Sequence, residues 1–423
     1  MSASPAKRNL LWQFSGQGLG KAALFLFYIL LPKLIGLEQY GKFAFSMALC
    51  QIAVRPLVEM GLDMVVVKWV SRGMPAVARK AFFIRITAAL IVLPVLFLMA
   101  RFIHVEKGLL YMLFFYIVLI VLQNTAFSLF RGMENMKPEG IMVFLQRVLA
   151  LLLLPVGVSL GLRNAWLGAA SLLSAAVLTT SAVFLVYRRP LSAAFRAGAD
   201  HAGASLEYRD LIKEGLTLGG VTLLWLIYFR IDSVMLGLLR GDMDVAIYNV
   251  AYKLMEGAIF VPGVIMLVFF PQLARPGMFK KIFGELLFAL VMLGLAASAA
   301  LYLFSPGLVR MIYGAGFETS GSVLRILSLA LFPIFLGHLV TQSLVSRDMH
   351  GAYLLAALTG TILNIMLNFA LIPRFGATGA AWATVVTEAT VASFCGYFIR
   401  TREPSVLSLD NFLAGFRSMA SRL

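Results

Sequence analysis

Leu-Leu-Tyr-Met-Leu-Phe-Phe-Tyr-Ile-Val-Leu-Ile-Val-Leu-Gln-Asn-Thr-Ala-Phe-Ser-Leu-Phe (109–130) contains no charged side chain and no proline. A helix needs about 20 predominantly apolar residues to cross the hydrocarbon core of a bilayer, and this stretch supplies them. Stretches of the same character recur near 10–33, 39–61, 81–103, 139–161, 165–187, 211–238, 244–271, 281–304, 322–345, 351–373 and 377–400. The composition agrees: 61% of the 423 residues are hydrophobic and 13% charged, with a mean hydropathy of +0.89. A soluble domain of this length has no core large enough to bury so much apolar surface. The sequence predicts an all-α polytopic membrane protein with twelve transmembrane helices. The first stretch is too long for a signal-peptide core and lacks a clean small-residue cleavage site, so it reads as a retained helix, with a cleaved signal as the alternative.

Lys and Arg in the loops set the orientation. With the N-terminus in the cytoplasm, 21 of the 36 basic residues lie on the inner side, 8 on the outer side and 7 within spans. Both termini are therefore expected to be cytoplasmic. The net charge of +16 then follows largely from topology and suits anionic lipid headgroups, with no need of nucleic acid. Six spans precede the Arg-Arg-Pro and Ala/Gly-rich stretch at 188–210 and six follow it. This divides the chain into an N-terminal lobe (1–187), a cytoplasmic linker (188–210), a C-terminal lobe (211–400) and a tail (401–423). An even number of spans per lobe predicts a parallel repeat about an axis along the membrane normal. A shift of 205 places Gly36 on Gly241, Phe43 on Tyr248 and Leu49 on Leu254. In the tail, Leu409, Phe412, Leu413, Phe416, Met419 and Leu423 recur at helical spacing, as in an amphipathic helix at the cytoplasmic interface. Cys50 and Cys395 fall inside spans and read as small buried hydrophobes.

The seven cations within spans are Lys21, Arg55, Arg85, Arg147, Arg230, Lys253 and Arg325. A cation at mid-bilayer costs at least a few kcal/mol unless it has a partner, a wet cavity or an anionic ligand. Gln13, Gln17 and Lys21 form one polar stripe beside Gly16 and Gly20, as expected of a helix lining an interior. Arg147, beside Gln146, is deep in its span. Lys253 can pair with Glu256, and Arg55 with Glu59, one helical turn away. Arg85 lies near a span edge and is expected to snorkel; Arg325 lies near the outer end of its span. Asp232 can carry a coupling proton or sodium ion, or neutralise an arginine of a neighbouring helix, the latter being preferred. Thr361, Asn364 and Asn368 share one helix face, and Glu388 sits a turn from Thr384. The candidate substrate-binding set is Lys21, Arg147, Lys253, Arg230, Arg55 and Gln17. Asp232, Glu256 and Glu388 are candidates for coupling or charge balance.

Catalysis has little support. His104, His201, His338 and His350 are scattered without metal-ligand spacing, and no phosphate-binding loop is present. Gly16, Gly18 and Gly20 lack the strand–turn–helix setting of a nucleotide fingerprint. No cofactor, metal or enzymatic role is expected.

Tyr-Gly-Ala-Gly-Phe-Glu (313–318), Val-Leu-Arg-Ile-Leu-Ser-Leu-Ala-Leu (323–331) and Phe-Gly-Ala-Thr-Gly-Ala-Ala-Trp-Ala-Thr-Val-Val-Thr-Glu (375–388) resemble the polysaccharide transporter family. These are the O-antigen-type flippases of the multidrug/oligosaccharidyl-lipid/polysaccharide exporter superfamily. Gln-Tyr-Gly-Lys-Phe (39–43) and Ala-Ile-Tyr-Asn-Val-Ala-Tyr-Lys-Leu (246–254) resemble the family's second and eighth helix starts. The resemblance implies two six-helix lobes in a V, alternating access, a cationic central cavity and a bacterial or archaeal inner membrane. It implies an undecaprenyl-diphosphate-linked oligosaccharide as substrate, and a polysaccharide polymerase and chain-length machinery as partners. The lipid II flippases of the superfamily typically carry two more helices than this chain. Two other classes stay in view: a cation-coupled drug exporter, in which acidic residues should dominate the cavity, and a membrane enzyme such as a polymerase or acyltransferase. Reporter fusions test the topology: a fusion after Arg402 should be active in the cytoplasm, and one within 305–321 should be active only outside.

Overall fold

A backbone without access to water must satisfy its own hydrogen bonds, which a helix does internally. The computed structural model describes residues 5–103, 105–196, 207–275 and 277–420, leaving aside the side chains of 5–11, 13–15, 218, 221–223 and 419. All regular structure among the described residues is helical. The Gln13 side chain, His104, His201, the 197–206 part of the expected linker, the Met419 side chain and Leu423 lie outside the described residues.

The chain forms two compact units, Met1–Arg230 and Ile231–Leu423. The first comprises α1 (Pro5–Ile35), α2 (Leu37–Ala53), α3 (Arg55–Glu59), α4 (Leu62–Ser71), α5 (Val77–Phe102), α6 (Lys107–Gly132), α7 (Lys137–Ser159), α8 (Ala165–Val186) and α9 (Arg188–Arg196). The helix α10 (Tyr208–Leu239) contributes to both. The second holds α11 (Asp242–Leu273), α12 (Phe279–Tyr313), α13 (Glu318–Ser346), α14 (His350–Arg402) and α15 (Leu409–Ala420).

Among the described residues, nine helices are long and apolar enough to cross a membrane, against the twelve expected. The difference has local causes. The expected second span is broken twice: at Val54, before Pro56, and at Met60–Gly61, where both residues adopt left-handed backbone (φ 46° and 63°). Proline at the start of a helix costs no hydrogen bond, whereas inside one it would. The expected eleventh and twelfth spans are both present within α14, as two helical arms that meet at a sharp reversal at Gly376 (φ 55°), so they count as one long helix. There the chain folds back so tightly that a Cβ on Gly379 would lie 2.6 Å from the Leu371 carbonyl oxygen. The remaining expected span falls on α10, several of whose side chains are outside the described residues.

Small residues allow close crossings within the first unit. A Cβ on Gly16 would meet the Gly140 carbonyl oxygen at 2.3 Å, and a Cβ on Gly140 the Trp12 carbonyl oxygen at 2.5 Å, so α1 and α7 touch backbone to backbone. The first half of α10 docks similarly: a Cβ on Gly219 would lie 2.5 Å from Gly61 Cα. Beside it Glu214 accepts hydrogen bonds from Lys68 Nζ and, at 2.9 Å, from Trp69 Nε1.

The repeat is visible in the turns. Gly36 and Gly241, matched by the 205-residue shift, precede α2 and α11 in nearly the same left-handed backbone (φ 81° and 93°). Gln39 and Asp244, also matched by that shift, do the same work. Gln39 Oε1 accepts the backbone N–H of Ala165 at the start of α8 (3.2 Å). Asp244 Oδ1 accepts that of Ala377 where α14 resumes (2.9 Å).

A leucine at Gly140 would have to part α1 from α7. Gly140→Leu should lower the thermal stability of the detergent-solubilised protein by roughly 1–3 kcal/mol. Gly18→Leu, at a position where a Cβ meets nothing within 4 Å, should leave it unchanged; size-exclusion chromatography after a heat ramp reads both.

Candidate functional site

Polar residues gather in one cluster within each unit. In the first unit, Arg131 of α6 forks onto Glu139 of α7, with Nε–Oε2 at 2.7 Å and Nη2–Oε1 at 2.8 Å. Glu139 is only 2% exposed. A fork of two parallel charge-assisted bonds holds a planar guanidinium in one orientation. Gln17 of α1 donates its amide to the same carboxylate (3.2 Å). Two turns further along α7, Arg147 donates to the Gln17 backbone carbonyl (3.2 Å) and side-chain oxygen (3.5 Å). Tyr116 of α6 lies within electrostatic reach of both Arg147 and Arg55.

The acidic residues of this cluster are already engaged. Glu59 takes Arg55 one turn away (2.7 Å), Asp63 takes Arg85 (2.7 Å) and Glu139 takes Arg131. Arg147 differs from these arginines, because its hydrogen-bond acceptors are the neutral oxygens of Gln17. A half-buried guanidinium held by neutral oxygens keeps its charge available to an anion, and its fork matches carboxylate or phosphate. Lys21, one turn beyond Gln17, is exposed. Within the expected stripe, Gln17 is tied into the α1–α7 crossing, whereas Lys21 lies at an exposed position.

Arg85 overturns its reading as a snorkelling edge residue. It is fully buried, with Nη2 on Asp63 and Nη1 on the Val121 carbonyl and Thr125 hydroxyl. A charge removed from water persists only with such a complement of partners. Arg131 is likewise part of this cluster, although its sequence position placed it in a cytoplasmic loop.

In the second unit, Asp232 of α10 is 4% exposed. Tyr248 of α11 donates its hydroxyl to Oδ2 (2.7 Å), Thr384 of α14 donates to the same oxygen (3.3 Å), and Asn368 of α14 donates its amide to Oδ1. Asn368 also donates to Asn364 Oδ1 (2.9 Å), while its own side-chain oxygen is buried without a donor. None of these partners is a cation, so Asp232 is not the neutraliser of a neighbouring arginine that its sequence context favoured. Asn249 bonds Ser233 (2.9 Å), and Lys253, 7% exposed, pairs with Glu256 within α11. Arg230 and Glu388 are half-buried. Arg325 is exposed, with its guanidinium 4.8 Å from the Tyr302 ring. Among the described residues no three His, Cys, Asp or Glu side chains are grouped to hold a metal ion.

The model of one protein family, described as polysaccharide biosynthesis protein, matches residues 6–276, more than half of the chain. The chain belongs to the polysaccharide biosynthesis protein family. No curated protein matches it. Its fold is that of solved membrane transporters. An inward-facing multidrug resistance MATE family transporter of the MOP superfamily superposes with a TM-score of 0.72 at 16% identity, covering 90% of this chain and 94% of that one. The lipid II flippase MurJ, in an inward closed conformation, gives 0.63 at 14% identity, with 97% and 90% covered. A MOP superfamily transporter from Pyrococcus furiosus, whose binding pocket is described as reversed in polarity, gives 0.58 at 16% identity, with 96% of each chain covered. At such identities the likeness establishes the fold alone.

For this polysaccharide biosynthesis protein, the burial of Arg85 and the half-exposure of Arg55 give different expectations. Arg85→Leu takes the ion-pair partner from Asp63, leaving it the Ser128 hydroxyl (3.0 Å), and should cost about 3–5 kcal/mol. Arg55→Leu should cost about 0–1 kcal/mol. Combining Arg85→Leu with Asp63→Leu should recover part of the loss, since an apolar pair replaces the buried ion pair; thermal unfolding of the three variants reads the order.

Proposed function

We propose that this protein is a flippase that carries an undecaprenyl-diphosphate-linked oligosaccharide across the bacterial inner membrane by alternating access, for assembly of cell-surface polysaccharide. The observation that carries the reading is the membership of the polysaccharide biosynthesis family by a chain with the fold of MOP superfamily transporters. A fold shared with a lipid II flippase is consistent with a lipid-linked cargo. The anion-receiving groups in this reading are Arg147 and Lys21, with Gln17 holding Arg147 in place. The lipid diphosphate meets the guanidinium as the lobes alternate, and its polyprenyl tail stays in the bilayer. Arg55, Arg230 and Lys253 lie outside that pair in our reading, since Arg55 and Lys253 already hold Glu59 and Glu256.

Asp232 supplies the coupling. A carboxylate that accepts only from neutral donors can exchange a proton or a monovalent cation without breaking an ion pair, and the orphaned oxygen of Asn368 adds a further ligand beside it. Glu388 and the Lys253–Glu256 pair balance charge. In this reading both termini are cytoplasmic, and a polysaccharide polymerase and chain-length machinery act on the product. A cation-coupled drug exporter of the same fold is the second reading, favoured by the Asp232 arrangement alone. It predicts drug resistance on expression and no effect of Arg147 on that resistance.

Purified protein in liposomes should flip a fluorescent lipid-linked oligosaccharide. Arg147→Glu and Lys21→Glu should each abolish flipping and polysaccharide export while the protein still inserts. Full export by both variants would sink the anion-receiving role. Asp232→Asn should leave flipping down a substrate gradient intact and remove its acceleration by an imposed proton or sodium gradient.

A further inference from the structure

The helix α15 is docked by the face that sequence pattern alone would assign to water. Its buried residues are Asn411 and Gly415, with Ser418 half-buried beside them. Asn411 donates to the Lys280 carbonyl (3.3 Å) and Ser418 to the buried carboxylate of Glu285 (2.6 Å). Gly415 lies so close to α12 that a Cβ there would meet the Gly284 carbonyl oxygen at 2.2 Å. The polar and small residues of α15 therefore hold it to α12, backbone against backbone. The apolar stripe is turned outward, with Leu409 71%, Leu413 39% and Phe416 48% exposed.

That stripe does not end at α15. Phe412 and Phe416 pack on Phe288 of α12, with ring centroids 5.3 and 5.2 Å apart. From Phe288 the exposed apolar face of α12 continues at helical spacing through Met292 (50% exposed) and Leu295 (48% exposed). The helix α12 is long and apolar enough to cross a membrane, so this face of it meets acyl chains. Arg417 of α15 and Lys280 and Lys281 at the start of α12 are all exposed. The two lysines border a cavity of about 320 Å³ whose lining also includes Glu285, its carboxylate held by Ser418, and Asn411. An apolar stripe continuous with a spanning helix and accompanied by exposed cations matches one occupant: an anionic lipid leaflet, with acyl chains on Leu409, Leu413 and Phe416 and phosphates beside the cations.

We propose that α15 is a membrane-immersed element fixed to α12, whose outward Leu409–Leu413–Phe416 face is embedded in the lipid of one leaflet. This goes beyond the transport reading and does not depend on it. The test uses the full chain in single-copy nanodiscs containing phosphatidylglycerol, with a nitroxide on Leu413→Cys or on Phe416→Cys, both exposed positions. The background is Cys50→Ser/Cys395→Ser, which removes the two buried thiols. Both labels should collide with oxygen several-fold more often than with a water-soluble nickel chelate, and a label on Asp410→Cys should show a smaller ratio. Greater accessibility to the chelate at Leu413 and Phe416 would overturn the proposal and leave the face open to a soluble partner. Protection from both reagents, or spin–spin broadening when two copies share a disc, would overturn it in favour of protein contact.

Discussion

A charge in a bilayer must arrive with its partners, and that requirement organises the interior of this protein. Water is absent, so each ionised group is held by an opposite charge or by several oriented dipoles. The first unit meets the condition with ion pairs between helices: Arg85 of α5 with Asp63 of α4, and Arg131 of α6 with Glu139 of α7. The second unit meets it at Asp232 with hydroxyls and amides from α11 and α14. These two solutions behave differently. An ion pair resists change, because removing either member strands the other. A carboxylate among neutral donors has no ion-pair partner to strand.

Much of the fold was legible in the sequence. Apolar windows locate the helices, because length and hydropathy together leave a spanning segment few alternatives. The break in the second span is less legible, since Pro56 and Gly61 only mark where a helix can stop; in the fold Gly61 lies backbone to backbone against Gly215 and Gly219. Gly36 and Gly241, which the shift aligns, both sit in a left-handed turn before a helix start, a backbone that favours glycine. The same logic reaches Gln39 and Asp244, where one helix-capping task is performed by two different side chains.

The polar clusters were legible only in pieces. Helical spacing put Asn364 and Asn368 on one face and Thr384 on another segment, yet no periodicity says which faces meet around Asp232. Arg85 was misread for a related reason. Its position near a span edge suggested an exit to the headgroups, whereas its partner Asp63 sits 22 residues away on a helix created by the break at Gly61. Within one helix, Lys253–Glu256 and Arg55–Glu59 follow directly from spacing, and both are present.

The tight reversal at Gly376 also works as a ruler. Asn368 and Thr384 lie eight residues before and after it, and Asp232 and Tyr248 lie nine and seven residues from Gly241 in the neighbouring hairpin. At about 1.5 Å of rise per helical residue, all four sit roughly 12 Å from their turns. The two turns are pinned to each other through Asp244 and Ala377. The depth of the Asp232 oxygens is therefore fixed by counting from a common origin at the end of the hairpins. A single residue inserted between Gly376 and Thr384 would rotate the hydroxyl away by about 100° and dismantle the arrangement without altering any residue that touches the carboxylate.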